Sequence, residues 1–206
     1  MHRTNETDNL IVQNQLEPEQ ERLLIVQAHH SPEAFRVLYR HYFPKVYAYL
    51  ANRVERIEDA EDLTAETFVN VVKNLKRFEY QGEGAFAAWI FRIARNNIGM
   101  FYRRNHRHAQ PIPLDDLPEM VSDELLPDDA LVRKEPFVLL CSLINNLSPR
   151  RQEVIRLKYF AELRNIEIAV ILELDERTIA SHLSRGIDDL QKLYRTILDS
   201  EEKETS

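Results

Sequence analysis

A chain of 206 residues with 44% hydrophobic content has room for one large domain or two small ones. Only four glycines against 30% charged residues exclude a sheet built on tight turns and point to an all-α fold. A single cysteine excludes an internal disulfide, no spaced Cys/His cluster marks a metal site, and a formal net charge of −7 argues against indiscriminate binding to nucleic acid, because the long-range field repels phosphate.

The N-terminus, MHRTNETDNLIVQNQ, is too polar for a signal peptide, and no apolar run approaches the roughly 18 residues of a membrane span. The expectation is a soluble, cytoplasmic protein with no membrane insertion. Residues 1–20 lack periodicity and read as a mobile tail. A short helical pattern covers Glu21 to His30. A longer one opens with Ser31 as N-cap and Pro32 at the first helical position. Its inward stripe is Phe35, Leu38, Tyr39, Tyr42, Phe43, Val46 and Leu50, and Pro44 is expected to bend or interrupt it. The next pattern, IEDAEDLTAETFVNVVKNLKRF, turns Leu63, Phe68, Val71, Val72 and Leu75 inward and is acidic at its front.

After the loop EYQGEG comes AAWIFRIARNNIGMFYRRNHRH, residues 87–108, with five arginines, two histidines and no carboxylate. On a helix, Phe86, Ile90, Ile93, Ala94 and Phe101 share the core side, while Arg92, Arg95, Asn96, Gly99 and Arg103 form an exposed strip. Guanidinium groups suit phosphate and an asparagine amide suits a base edge. The plainer alternative is a solvated basic face paired with the acidic helix at 58–66. Tyr80 and Trp89 next to the arginines offer stacking surfaces for an unstacked base, although an aromatic at helical spacing is more often core.

Residues 109–136 are proline-rich, with eight acidic against two basic residues and no aromatic, and read as an acidic linker. A second helical block, residues 137–198, follows, and residues 199–206 form a charged tail. Within the block, Ser148 and Pro149 open one helix, and two more flank the residues Glu173–Leu174–Asp175. This pattern reads as a helix-turn-helix. Ile166, Ile168, Ala169 and Leu172 pack on Ile179, Leu183 and Ile187, Asp175 caps the second helix, and Arg177, Ser181, Ser184, Arg185 and Asp188 face outward. A plain helical hairpin has the same pattern. Leu190, Leu193 and Ile197 give the last helix an apolar seam.

The order of these motifs resembles the extracytoplasmic-function (ECF) sigma factors of bacterial RNA polymerase, members of the sigma-70 family. The likeness rests on LYRHYFPKVYAYL, DAEDLTAETFVNVVKNLKRF and GEGAFAAWIFRIARNNIGMFYRR in the first half, and on LINNLSPRRQEVIRLKYFAEL and IEIAVILELDERTIASHLSRG in the second. It implies a region 2-like helical bundle over 21–108 and a region 4-like helix-turn-helix domain over 137–198, joined by the acidic linker. It further implies that Asp59, Glu61, Asp62 and Glu66 bind core RNA polymerase. The minus-ten element would meet Tyr80, Gly82, Trp89, Arg92, Arg95, Asn96 and Arg103, partly as melted strand. Duplex DNA at minus thirty-five would meet Arg177, Thr178, Ser181, His182 and Arg185. Similar proteins are often held by an anti-sigma factor, which the resemblance adds to the partners.

Two departures stand out. Glu173 occupies a turn position where such proteins usually have glycine, and a left-handed backbone there costs about 1–2 kcal/mol. Ala180 and His182 stand where the family is often basic, which thins the upstream contacts.

Other function classes fit less well. A polymerase-independent helix-turn-helix regulator has no use for the acidic stretch 58–66, and a helical adaptor binding only proteins has none for the strip at Arg92, Arg95, Asn96 and Arg103. His29 with His30, and His106 with His108, lack partners at ligand spacing, and no phosphate-cradling glycine loop or nucleophile motif is present. No enzyme activity, metal or cofactor is expected.

Overall fold

The computed structural model describes residues 16–54, 56–105 and 131–204. The tail up to residue 15 and the linker stretch 109–130 lie outside them, as do His106 and His108. Among the described residues there are eight α-helices and no strand. They are α1 (Pro18–Ala28), α2 (Pro32–Ala51), α3 (Ile57–Asn74), α4 (Ala85–Asn105), α5 (Leu131–Asn145), α6 (Pro149–Tyr159), α7 (Asn165–Leu172) and α8 (Glu176–Glu204), with a 3-10 turn over Leu75–Arg77. The all-α expectation holds.

Helices α1 to α4 pack in sequence as a bundle, and α5 to α8 form a second group. The Ser31 hydroxyl accepts from the Ala34 amide at 3.2 Å, so α2 starts where its cap predicts. Pro44 neither ends nor splits α2. It lies on the exposed side, where its ring meets solvent instead of packed neighbours, while Leu38, Tyr42, Val46, Tyr49 and Leu50 fill the core behind it. On α3 the buried stripe is Leu63, Thr64, Thr67, Phe68 and Val71. Val72 is one helical step further round and is 53% exposed, against the inward position expected of it. The buried amide of Asn97 on α4 donates to the Thr67 hydroxyl at 3.1 Å, and each partner thereby escapes the cost of an unpaired polar group.

In the second group, Ser148 holds the N-cap position of α6 without a side-chain cap bond. The Gln152 amide instead donates to the carbonyls of Asn145 (2.7 Å) and Leu147 (2.9 Å). Asp175 caps α8 as expected, accepting from the Thr178 amide at 2.8 Å and the Thr178 hydroxyl at 2.7 Å. The helix it opens does not stop after the helix-turn-helix. It continues as one helix to Glu204, about 43 Å long, and carries the seam of Leu190, Leu193 and Ile197 with it. Gly186 lets it pass close to α6, because a Cβ there would meet Ile155 Cγ1 at 3.2 Å.

The two groups share one buried cluster. It passes from Ile25, Val46 and Phe91 to Ile155, Ile168 and Ile179. The joint is made chiefly by α7 lying on α4.

Candidate nucleic-acid interface

Helix α4 buries Phe86, Ala87, Ile90, Phe91, Ala94 and Ile98, and this inward set turns Arg92, Asn96, Arg103 and Arg104 out to solvent and leaves Arg95 half-buried. Of the strip expected on α4, Arg92, Asn96 and Arg103 are exposed, and Arg95 and Gly99 are half-buried. The strip differs from the expectation in having acidic partners, and they come from the other half of the chain. Arg92 Nη2 lies 3.0 Å from Glu173, and Arg95 Nε lies 3.3 Å from Glu153. The acidic helix α3 supplies only a marginal pair, Arg104 to Glu66 at 4.0 Å.

Trp89 is half-buried against Phe78 and Phe86, with ring centroids 4.8 Å and 5.7 Å away. It belongs to an aromatic cluster and still presents part of its surface. Tyr80 stands beside this cluster, half-buried. Burial, then the nearby carboxylates Glu21 and Glu83, push its hydroxyl pKa up, so the ring stays neutral at physiological pH. The loop after it bends through two glycines in left-handed backbone, Gly82 at φ 123° and Gly84 at φ 77°.

Asp59 lies in the first turn of α3, where a carboxylate is favoured by the helix N-terminus, and Glu61, Asp62 and Glu66 follow along the helix. Asp59, Asp62 and Glu66 line a groove of about 240 Å³ together with Leu63, Phe101 and Arg104. Glu61 lies outside this lining and is exposed. Val69 and Val72 extend the same helix with exposed apolar surface, 48% and 53% exposed.

The third surface is the helix-turn-helix of α7 and α8. Ile168, Ala169 and Leu172 are buried, as are Ile179 and Leu183. Arg177 and Arg185 are exposed, and Thr178, Ser181 and His182 are half-exposed on the same helix. Partial burial, then the positive charge of Arg150, Arg151 and Arg185, lower the His182 pKa and leave the imidazole neutral at physiological pH. Arg177 and Arg185 thus carry the charge of this group. Glu173 has φ 56° and ψ 46°, so the turn takes the left-handed conformation that usually selects glycine.

The Sigma-70 region 2 family model matches residues 38–108, and the Sigma-70 region 4 model matches residues 138–190. Both regions fall in order on the two helical groups. The chain belongs to the sigma-70 family. The ECF RNA polymerase sigma factor BldN of Streptomyces coelicolor is 29% identical over 161 residues, which cover 78% of this chain and 60% of that protein. The ECF RNA polymerase sigma factor SigW of Bacillus subtilis is 28% identical over 172 residues, 80% of this chain and 91% of that one. Of solved structures, CnrH in complex with the cytosolic domain of CnrY has a TM-score of 0.63 at 21% identity, covering 85% of this chain and 97% of that one. The sigma factor RpoE with the anti-sigma factor NepR from Bartonella quintana has a TM-score of 0.55 at 22% identity, covering 79% and 98%. These two likenesses support the fold, and the two sigma regions with the ECF-named relatives make this an alternative sigma factor of the ECF group.

A feature that sequence reasoning missed is the joint between the sigma regions. Glu153 on α6 is nearly enclosed, 12% exposed, and accepts from the Tyr49 hydroxyl at 2.7 Å and from the Arg53 guanidinium. Burial pushes its pKa up, but Arg53, Arg95 and the Tyr49 hydroxyl outweigh that and hold it below the usual carboxylate value. Arg156 beside it donates to Asn52 Oδ1 at 3.0 Å and Asn145 Oδ1 at 2.6 Å, and burial, then Arg53, push its pKa down to about 10. Arg164 pairs with Glu83 of the glycine loop. No helical periodicity announces such pairs, since Arg53 and Glu153 stand 100 positions apart.

Proposed function

We infer that this chain binds core RNA polymerase, recognises promoter DNA and promotes its melting to start transcription at a dedicated set of promoters. The observation that carries the reading is the succession of sigma region 2 and sigma region 4 on two helical groups that offer, respectively, an acidic helix with a basic strip and a helix-turn-helix. A regulator acting without polymerase needs only the last of these.

In this reading Asp59, Glu61, Asp62 and Glu66 dock on the polymerase clamp. Arg92, Arg95 and Arg103 hold backbone phosphate, Asn96 meets a base edge, and Tyr80, Gly82 and Trp89 form the place where an unstacked base rests. Arg177, Thr178, Ser181, His182 and Arg185 read the upstream duplex in the major groove. Opening DNA this way uses binding energy alone, so the chain catalyses no reaction and needs no cofactor. The site of action is the bacterial cytoplasm, in keeping with the absence of a membrane-length apolar helix among the described residues. The sigma factor RpoE is solved with the anti-sigma factor NepR, and a partner of that kind is part of the reading proposed here.

Reconstituted transcription tests the reading. Core polymerase given this chain should start RNA at sites that core alone and the housekeeping holoenzyme ignore. Transcripts no different from those of core alone would reject it.

A further inference from the structure

We propose that His182 is a proton-linked contact to the DNA backbone: as the helix-turn-helix seats on duplex, the imidazole takes up one proton and joins Arg150 and Arg185 in holding phosphate, so that upstream binding tightens as pH falls. The proposal rests on the reading of α8 as the duplex-binding helix, and adds to it a second helix, α6, and a titrating group.

The site is built where α6 crosses α8. Gly186 marks the crossing, since a Cβ there would meet Ile155 Cγ1 at 3.2 Å and Arg151 Cβ at 3.8 Å. His182 stands one turn before this point on α8, which sets its ring beside Arg150 and Arg151 in the first turn of α6. Arg185 follows at the i+3 position of the same helix. Arg151 is bound to Asp189 of α8, so its charge is answered within the protein. Arg150 and Arg185 are exposed and form no ion pair among the described residues. Two helices thus gather three guanidinium groups around one imidazole, on a chain whose formal net charge is −7. On an acidic protein such a local concentration of cations suits a phosphodiester backbone.

The same arginines account for the proton. Partial burial, then Arg150, Arg151 and Arg185, hold the His182 pKa below its ordinary 6.5, and no carboxylate acts on it to offset them. The imidazole is neutral when the chain is free. Duplex phosphates reverse that field: they neutralise the arginines and favour the imidazolium directly, so bound His182 titrates at a higher pH than free His182. Proton and duplex therefore tighten each other's binding. The gain in affinity begins as pH falls through the bound value and levels off below the free one, which lies under 6.5.

The test uses the full chain and a fluorescent mixed-sequence duplex of about 30 base pairs, followed by anisotropy at constant low salt between about pH 8 and pH 5.5. Affinity should rise by about threefold to tenfold over this range, with a slope of no more than about one decade per pH unit, because a single proton is taken up. His182→Gln should bind at the parent's high-pH level throughout. His182→Arg, a permanent cation, should hold about the parent's low-pH affinity at every pH. Arg150→Gln should weaken binding severalfold and lower the salt slope by about one. In proton NMR the Hε1 resonance of His182, assigned by its absence in His182→Gln, should titrate below 6.5 in the free chain and at a higher midpoint with duplex present.

Binding that is independent of pH, or that keeps its pH dependence in His182→Gln, would overturn the proposal and leave the upstream reading of α8 standing. A His182 midpoint unmoved by duplex would overturn it in the same way. Unchanged affinity in Arg150→Gln would take α6 out of the site. No binding by the folded parent at any pH would strike the reading of α8 itself, and the proposal with it.

Discussion

The carboxylate of Glu173 lies 3.0 Å from Nη2 of Arg92, joining the turn of the helix-turn-helix to the basic strip of a helix 81 positions earlier. Glu173 adopts φ 56° to do so. A non-glycine residue there costs about 1–2 kcal/mol, and an exposed ion pair returns about 1 kcal/mol at most. Glycine relieves the strain but gives the unfolded chain more freedom, an opposing effect of about 0.4–1 kcal/mol. Glu173→Gly should therefore change stability little, between a loss of about 1 and a gain of about 1.6 kcal/mol. Glu173→Val, branched at Cβ, should lower it by more than 1 kcal/mol. Urea denaturation of both variants checks this, and a glycine variant less stable than the parent by more than about 1 kcal/mol would mean that the pair with Arg92 outweighs the strain.

Asn96→Ala tests the minus-ten surface. The side chain is exposed, so folding and core binding should be unchanged, with a stability change within about 0.5 kcal/mol. Promoter opening should fall severalfold, read as permanganate reactivity of melted thymines. Opening at the wild-type level would remove Asn96 from the site.

Charge reversal at Asp62 and Glu66 tests the acidic groove. Both lie in the lining with Leu63 and Phe101. The double variant should bind core polymerase at least about tenfold more weakly, equivalent to about 1.4 kcal/mol, with its thermal midpoint little changed. An unaltered titration against purified core enzyme would place the clamp contact elsewhere.

Glu153 supplies a pH prediction. Its pKa in the folded chain is depressed, so its stabilising effect is present above its ordinary value of 4.5 and is lost as pH falls through the lower folded value. Replacing it leaves Arg53, 9% exposed, without its carboxylate, a loss of roughly 3–5 kcal/mol. The stability difference between the parent and Glu153→Gln should thus be large at pH 7 and shrink progressively below about pH 4.5. A difference that grows under acid would show that the carboxylate is protonated in the native state.

Local chemistry was legible wherever it was short-range. Ser31 and Asp175 announced their helices through hydroxyl and carboxylate caps, and the i, i+3, i+4 stripes of α2 and α4 marked the right face of each helix but only part of what is buried there, leaving out Tyr49 and Phe91. Pro44 misled because the rule against helix-interior proline is weakest on an exposed side. Val72 misled because a β-branched apolar residue one step past the stripe cannot be told from one on it. Glu153 could not be read at all. In PRRQEVIRL it resembles any solvated helix carboxylate, and only the fold brings Arg53, Tyr49 and Arg95 around it.

Binding to bacterial core RNA polymerase tests the central claim most directly. A labelled sample of the full chain should bind purified core enzyme at sub-micromolar concentration and be displaced by a housekeeping sigma factor, since both would use the same clamp surface. Folded protein that fails to bind, or binds without competition, would contradict the account and leave the helix-turn-helix as a DNA reader that works without polymerase.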